Sequence, residues 1–148
     1  MNYGVNSMIL PVTERDELVW AQMCVELWED NSVENMLNER ADGELENEFL
    51  YYLADEAVAF LSLSLRYDYV EGTDSSPVGY IEGIYVREAY RHKGIAKELI
   101  EFAKEWSSER GCSELASDCV ITNEDSRKFH NNVGFKEANT IVCFTMEI

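Results

Sequence analysis

The sequence predicts an α/β (α+β) fold in which a mixed, mostly antiparallel twisted sheet is flanked by helices. Stretches with the period of a helix alternate with stretches that have the period of a strand, in the order ααβββαβαβ. No repeat and no Pro/Gly-rich linker interrupts the 148 residues. Because this length is typical of one domain, residues 1–148 are expected to form a single core.

The first half of the chain predicts two helices followed by a β-hairpin. Apolar residues recur at helical spacing from Asp16 to Trp28, and a more polar helix is expected from Val33 to Arg40. The period then changes to two in residues 48–54 and 57–69, on either side of a tight turn at residues 55–56. These two stretches are therefore expected to pair as antiparallel strands.

The second half alternates strands with helices. A strand is expected over residues 78–86, and the apolar stripe of residues 94–110 predicts a long helix. A short strand at 113–118, a helix from about 123 to 133 and a last strand at 140–147 complete the predicted order.

The charge of the chain limits its partners. The 29 Asp and Glu residues against 12 Lys and Arg give a net charge of −17. This charge repels nucleic acid and anionic membranes and attracts polycationic ligands. Solubility alone is the competing explanation for such an acidic composition.

The compartment is expected to be the cytoplasm. The N-terminal segment has no cationic n-region, and its apolar run "MILPV" is too short for a signal peptide or a membrane span. The four cysteines form no CxxC pair, and His92 and His130 stand alone, so no metal site is predicted. Free thiols in a reducing compartment follow from this pattern.

The segment "RHKGIA", between the strand at 78–86 and the following helix, is suited to an anion. The first four N–H groups of a helix lack intrahelical partners, and the helix dipole adds partial positive charge there. Gly94 and Ala96 leave room for a phosphate at the main chain, and Arg91, His92 and Lys93 supply further donors. An ordinary turn with solvated basic residues is the alternative. The segment has no Walker Gly-Lys-Ser/Thr and no GxGxxG, so nucleotide chemistry of those kinds is not predicted.

The spacing Arg-x-x-Gly-x-Ala after "GIYV" resembles motif A of the GNAT superfamily of N-acetyltransferases. The stretch "NEDSRKFHNNVGF", about thirty residues later, resembles a second element of that family in the right order. The resemblance implies acetyl-coenzyme A as co-substrate, with its pyrophosphate on the N–H groups of residues 92–97 and its pantetheine arm along the splayed strand. The coenzyme contacts implied in this way are Ile84, Tyr85, Val86, Arg91, His92, Lys93, Gly94, Ile95, Ala96, Lys97 and Asn123.

His130 stands where the family usually has a tyrosine that protonates the departing thiolate. Histidine donates protons near neutral pH, so the resemblance implies that His130 takes over this role. A structural hydrogen bond on the helix face is the alternative.

The stretches "LRYDYVEGTDSSPVGYIEGIYV" and "ELASD" resemble, more narrowly, the bacterial aminoglycoside 6'-N-acetyltransferases. This resemblance implies an acceptor pocket lined by Trp28, Tyr69, Glu82 and Asp118, and a homodimer with the apolar "TIVCFT" at or across its interface. Asn139 departs from the pattern, because a glutamate that touches substrate is expected at its position.

The acceptor residues also have reasons of their own. Glu82 interrupts an apolar strand, so it either accepts a proton from a substrate ammonium or pairs with Arg66. Asp118 ends a strand, so it either binds another ammonium or caps a helix. Tyr69 either orients the substrate or completes an aromatic cluster.

The sequence therefore predicts direct acetyl transfer to a primary amine without a covalent acetyl-enzyme. Cys119 is the only thiol near the expected pocket, and no activating base for it is identified. A polyamine or a protein N-terminus is the alternative acceptor. A catalytically silent module that binds acetyl-coenzyme A or cations is the alternative outside this enzyme class.

Overall fold

The structure is a computed structural model that describes residues 6–148. Residues 1–5, the start of the segment in which no leader is expected, lie outside the described residues. Within residues 6–148, no helix combines the length and the hydrophobicity that crossing a membrane requires. The elements in chain order are β1 (Ser7–Pro11), α1 (Glu17–Leu27), α2 (Val33–Ala41), β2 (Glu48–Leu53), β3 (Glu56–Arg66), β4 (Val78–Val86), α3 (Ile95–Glu109), β5 (Leu115–Ala116) and α4 (Glu124–Asn132).

The five strands form one sheet in the order β1-β2-β3-β4-β5. The first four strands are antiparallel neighbours, and β5 pairs in parallel with β4. The predicted fold class, a mixed and mostly antiparallel sheet flanked by helices, is confirmed.

The sheet separates two apolar layers. On one face, Trp20 of α1 and Met36 of α2 pack with Phe60 of β3. On the other face, Leu99 of α3 packs with Leu61 of β3. Side chains alternate across a strand, so neighbouring residues of β3 serve opposite layers. Burying such a side chain fully contributes about 1.5–3 kcal/mol, which is why these layers hold the sheet in place.

The helix starts are defined by caps. Ser32 accepts a hydrogen bond from the Asn35 N–H at 3.1 Å and so caps α2. Asn123 accepts one from the Ser126 N–H at 3.1 Å and caps α4. Gly94, by contrast, precedes α3 without a side-chain cap. The start of α3 therefore keeps donors that the other two starts use internally.

The sequence prediction is wrong at both ends of the described chain. β1 was not predicted, because a five-residue strand that ends in Pro11 is too short to show a period. The last predicted strand, 140–147, has no strand structure. Its side chains are exposed, with Val142 at 76% and Phe144 at 89%, since in this chain the segment lies outside the sheet.

Candidate active site

Glu82 is the extra residue of a β-bulge in β4. Ser62 lies opposite Gly83, whereas Leu63 lies opposite Ile81, so Glu82 has no direct partner on β3. A bulge redirects side chains, and bulges are common beside active sites. A strict period of two along residues 78–86 predicts that Glu82 shares a face with Tyr80 and Ile84, and for Ile84 the bulge makes this prediction wrong. Ile84 packs in the layer beneath α3, on the other side of the sheet.

The Glu82 carboxylate is held by two residues of β3. The Arg66 guanidinium donates to both carboxylate oxygens at 2.9 and 3.0 Å, and the Ser64 hydroxyl donates at 2.7 Å. The ion pair that the sequence left open as an alternative is therefore present. Its two side chains are 42% and 36% exposed, so solvent screens the pair and its contribution to stability is at most about 1 kcal/mol. The carboxylate is fixed in orientation and still open to a ligand.

Trp28 closes over the bulge. An added Cβ on Gly83 would lie 2.6 Å from Trp28 Cζ2 and 3.4 Å from the Phe60 ring, so the position has room only for glycine. The Trp28 ring also packs against Phe60 with 5.7 Å between centroids. The C-terminal end of α1 thereby places Trp28 beside Glu82, as the sequence resemblance implies.

Beside the bulge lies an acidic cavity of about 690 Å³. Five carboxylates line it, and no lysine or arginine is among the described residues of its wall. Cavities of this size hold small-molecule ligands, and a wall with more carboxylates than cations attracts polyvalent cations. The lining residues that matter here are Trp28, Glu39, Glu44, Glu46, Glu48, Tyr67 and Glu82.

Glu48, at the start of β2, is the buried carboxylate of this cavity and was not predicted from the sequence. The residue is 3% exposed, and its Oε1 accepts a hydrogen bond from the Ser62 hydroxyl at 2.7 Å. Within residues 6–148, its Oε2 has no hydrogen bond of normal geometry. Burial raises the pKa of Glu48 to about 7, against the opposing effects of Ser62, Trp20 and Arg40. The sequence signal that could have identified Glu48 is a charged residue at the start of the otherwise apolar run "EFLYYL".

The two other predicted acceptor residues lie outside the cavity wall. Tyr69 is 75% exposed in the loop after β3, and Tyr67 lines the cavity in its vicinity. Asp118 accepts a hydrogen bond from the Tyr80 hydroxyl. Burial and then this hydrogen bond raise the pKa of Tyr80. The Arg66 guanidinium lies 3.4 Å above the Tyr80 ring, so Asp118 is connected to Glu82 through two side chains.

The turn before α3 carries unpaired main-chain donors. His92 and Gly94 both have left-handed backbone, with φ of 62° and 84°. The Arg91 N–H bonds to the Glu88 carbonyl, and the Glu98 N–H bonds to that of Gly94. Between them, in the part of the chain that the structure describes, no protein acceptor takes up the N–H groups of residues 92–97. This geometry fits an anion at the turn.

Cationic and aromatic side chains surround this turn. Arg91 donates from Nε to the Val86 carbonyl at 2.8 Å, and its guanidinium lies 5.4 Å from the Tyr85 ring centre. Lys93 Nζ lies 5.5 Å from the Tyr90 ring centre. Arg91 is thereby fixed at the end of β4, between the strand and the turn.

The edge of β4 that faces β5 is open. β5 pairs only with Gly79 and Tyr80, so no described strand covers the stretch from Ile81 to Val86 on that side. The predicted splaying of this strand pair is confirmed. An extended ligand with amide groups fits an open strand edge, where it bonds as a further strand would.

The remaining predicted residues have protein partners. His130 lies within 2.7 Å of the Ser126 carbonyl through Nδ1 and within 2.8 Å of the Ser117 hydroxyl through Nε2. Because a carbonyl only accepts, Nδ1 carries a proton. Asn139 donates to Glu71 at 2.7 Å, away from the cavity wall. The proton-donor role of His130 stays a prediction, while its structural hydrogen bonds are present.

Comparison with known proteins agrees with this geometry. Residues 14–135 match the Acetyltransferase (GNAT) family. An aminoglycoside N(6')-acetyltransferase type 1 from Acinetobacter haemolyticus is 34% identical over 142 residues, which is 95% of this chain and 98% of the relative. The enzyme of the same description from Stenotrophomonas maltophilia is 37% identical over 143 residues, covering 95% of this chain and 93% of the relative.

Solved structures give the same result. The structure of AAC(6')-Iy in complex with the bisubstrate analogue CoA-S-monomethyl-acetylneamine is similar with a TM-score of 0.89 at 29% identity, covering 97% of this chain and 99% of that one. The apo aminoglycoside 6'-N-acetyltransferase AAC(6')-IG from Acinetobacter haemolyticus has a TM-score of 0.88 at 35% identity, covering 95% and 99%. The chain belongs to the GNAT family of acetyltransferases, in the group of aminoglycoside 6'-N-acetyltransferases.

Proposed function

We propose that the protein transfers the acetyl group of acetyl-coenzyme A to the 6'-amine of an aminoglycoside and thereby confers resistance to the drug. The observation that carries this proposal is the position of Glu82. It stands on the bulge of β4 where the acidic cavity of about 690 Å³ meets the strand edge that opens after Tyr80. A polycationic acceptor in the cavity is thereby brought close to a thioester bound along the strand.

The coenzyme side relies mainly on the main chain. The N–H groups of residues 92–97 suit the pyrophosphate, and the main chain of Ile84 and Val86, with Tyr85 between them, suits the pantetheine amides. The cations Arg91, Lys93 and Lys97 add charge around this site, and the free amide group of Asn123 adds a donor. Bound there, acetyl-coenzyme A supplies an activated thioester.

The acceptor side relies on carboxylates. Glu82, directly or through water, accepts a proton from the ammonium so that a neutral amine attacks the thioester carbonyl. Trp28 borders the same space, and Tyr69 and Asp118 bind more distant groups of the drug. His130 returns a proton to the departing thiolate. Transfer is direct, without an acetyl-Cys119 intermediate, and no metal ion takes part.

Acceptor profiling tests the activity. Purified protein with acetyl-coenzyme A should release thiol with kanamycin or tobramycin, and mass spectrometry with NMR should find the acetyl group on the 6'-amine. Spermidine should be a far poorer acceptor. A preference for spermidine or for peptide N-termini would contradict the drug as substrate, and no turnover with any amine would favour a silent binding module.

The proposal includes a homodimer in which the segment 140–147 contributes to the interface. Its apolar side chains are exposed in one chain, with Phe144 at 89% and Met146 at 86%. Exposed apolar segments with a strand-like sequence pattern can pair with a second copy of the chain. Light scattering should give twice the monomer mass for the full chain, and deletion of residues 140–148 should give the monomer mass. An unchanged mass after deletion would contradict this interface.

The proposal also places the protein in the cytoplasm, as one acetyltransferase domain over residues 1–148 that binds neither nucleic acid nor membranes. None of the four cysteines forms a disulfide, as is usual for proteins of a reducing compartment. They are Cys24, Cys112, Cys119 and Cys143. The net charge of −17 opposes contact with polyanions.

A further inference from the structure

Glu48 is a carboxylate for which the reaction proposed above has no use. It lies in the wall of the acidic cavity, on the same face of the sheet as Phe60 and below α1 and α2. A carboxylate buried to this extent is destabilising unless donors satisfy it or a ligand does. Glu48 has one donor, the Ser62 hydroxyl, for one of its two oxygens.

The groups around Glu48 leave its charge largely uncompensated. Arg40 of α2 is the nearest cation, but its guanidinium donates to the Val12 carbonyl at 2.8 Å and pairs with Glu17 at 3.4 Å. The other titratable groups around it are not cationic, and Arg66 on β3 is already paired with Glu82. These groups are Cys24, Glu39, Glu44, Glu46, Tyr67 and Glu82. The Trp20 indole N–H is near enough to lower the pKa of Glu48, yet it forms no hydrogen bond of normal geometry in the described part of the chain.

β3 connects Glu48 to the proposed reaction site. Ser62 of β3 donates to Glu48 of the neighbouring strand β2. Ser64 of β3 donates to Glu82 of β4, the neighbour on the opposite edge. Residues two apart on a strand point to the same face. Two carboxylates therefore stand in one wall of one cavity, on β2 and β4, with the single strand β3 between them. A ligand with several ammonium groups on a rigid ring system matches such an arrangement.

We propose that the Glu48 carboxylate is the inner ammonium-binding residue of the acceptor cavity, which holds a second amino group of the aminoglycoside while Glu82 faces the reacting one. The inference rests on the proposed function. Oε2 is enclosed in the ligand-free protein. The last torsion of a glutamate is soft, so we expect the carboxylate to rotate until one oxygen faces the cavity, with the Ser62 hydroxyl rotating to follow the other oxygen. An ammonium group supplies the charge and the donor that Glu48 lacks.

The pH dependence of binding follows from this role. A carboxyl group with a pKa of about 7 is mostly protonated below that pH and binds a cation only after it ionises. Drug affinity should therefore increase as the pH rises through 7, and binding at pH 6.5 should release a proton from Glu48. Glu48→Gln should lack both effects.

Steady-state kinetics with kanamycin and tobramycin, with the pH varied from 6 to 8.5, test the inference. Glu48→Gln should raise the KM for the drug at least tenfold at pH 8, change kcat less than threefold and leave the affinity for coenzyme A unchanged. Calorimetry of drug binding at pH 6.5, in two buffers of different ionisation enthalpy, should show that Glu48→Gln releases fewer protons than the parent protein does. The melting temperature at pH 8 should not fall, because a desolvated charge is removed.

Matched variants separate a charge from a structural contact. Ser62→Ala removes the hydrogen bond but keeps the carboxyl group, so a pH dependence should remain, with its midpoint moved to higher pH because this hydrogen bond lowers the pKa of Glu48. At pH 8.5 it should retain more of the affinity than Glu48→Gln does. If Ser62→Ala instead reproduces Glu48→Gln, the role is structural and the inference fails. Should Glu48→Gln fold poorly, Glu48→Asp keeps the charge on a shorter side chain. It should raise the KM and preserve the pH dependence, and an unchanged KM would overturn the inference.

The two proposals fail in different ways. A parent protein that neither binds nor acetylates any aminoglycoside overturns both. A parent that acetylates the drugs, with a Glu48→Gln variant that keeps the parental KM and pH profile, overturns only the role of Glu48.

Discussion

The turn before α3 and the cavity beside β4 present opposite charge in different ways. The turn offers unpaired N–H groups of the main chain between Arg91 and Glu98, and side chains only surround them. The cavity offers carboxylates, two of which are held by specific neighbours, Glu82 by Ser64 and Arg66 and Glu48 by Ser62. A main-chain site depends on backbone conformation, whereas a side-chain site depends on the identity of every residue in its wall.

This difference separates what is common from what is particular in the protein. Any sequence that forms the left-handed turn at Gly94 presents the same donors, so the coenzyme site tolerates many side chains. The acceptor site changes with each substitution. Asn139, where a glutamate is expected, carries no charge, and its amide donates to Glu71 outside the cavity wall. We therefore expect substitutions in the two regions to separate coenzyme affinity from turnover and drug selectivity.

The largest effect is expected for Glu82→Gln. Loss of the proton acceptor should lower kcat by roughly 100-fold, while the dissociation constant of coenzyme A stays nearly the same. The measurement is steady-state turnover together with calorimetric titration of the coenzyme.

Arg66→Gln is the matched control for Glu82. It breaks the ion pair, but leaves Glu82 with the Ser64 hydroxyl. If Glu82 served only to hold Arg66, the two variants would lose the same activity. Equal losses, or a loss below threefold for Glu82→Gln, would remove Glu82 from the mechanism.

Gly94→Val should affect the other region. A left-handed backbone costs an L-residue about 1–2 kcal/mol, and the turn relieves this strain by moving its N–H groups. Because about 1.4 kcal/mol is a factor of ten, the coenzyme should bind about tenfold more weakly. Calorimetry of coenzyme A binding measures the change.

Gly94→Asn is the control for this turn, because asparagine adopts left-handed backbone more readily. It should bind coenzyme A nearly as the parent does. There is space for a Cβ at this position, so steric contact does not complicate the comparison. Equal weakening by both variants would show that the side chain, and not the conformation, matters.

His130→Gln should have a smaller effect on turnover. A positioned proton donor contributes roughly 100-fold, and we expect a smaller decrease in kcat because both nitrogens of His130 already have protein partners. Ser117→Ala is the comparison, since it frees Nε2 and keeps the ring. If His130→Gln lowers the melting temperature but leaves kcat at the parental value, the residue is structural only.

The smallest effect is expected for Tyr80→Phe. It removes the hydroxyl that donates a hydrogen bond to Asp118, which should lower the free energy of unfolding by about 0.5–1.5 kcal/mol. Chemical denaturation measures this change. The freed Asp118 carboxylate should then bind the drug at least as well as before. A large increase in KM would indicate that Tyr80 presents Asp118 to the substrate.

The sequence allowed more of the fold to be predicted than of the cavity, for physical reasons. Helical and strand periods are local, and they located α3 and β4 to within a residue or two. The free N–H groups of the turn before α3 were predictable because a helix start after a strand is also a local signal, whereas an anion at this turn stays a prediction. β1 was too short to show a period, and the strand expected at 140–147 needs a partner that its own pattern does not identify.

The acceptor cavity depends on contacts between distant segments. Glu48 and Ser62 are 14 residues apart, and only the register of β2 with β3 brings them together. The bulge at Glu82 changed the face of Ile84, which a strict period of two does not predict. The glycine after Glu82 was the one local sign of an irregular strand.

The close fit of Gly83 beneath the Trp28 ring couples this position to the cavity, because Trp28 belongs to the cavity wall. A methyl group there would act as a wedge 2.6 Å from the indole, and the end of α1 would have to lift away from β4. Bulkier drugs would then gain entry through the enlarged gap, while small ones would lose the wall that holds them. The single substitution Gly83→Ala is therefore expected to change which drugs are acetylated, although it alters no carboxylate.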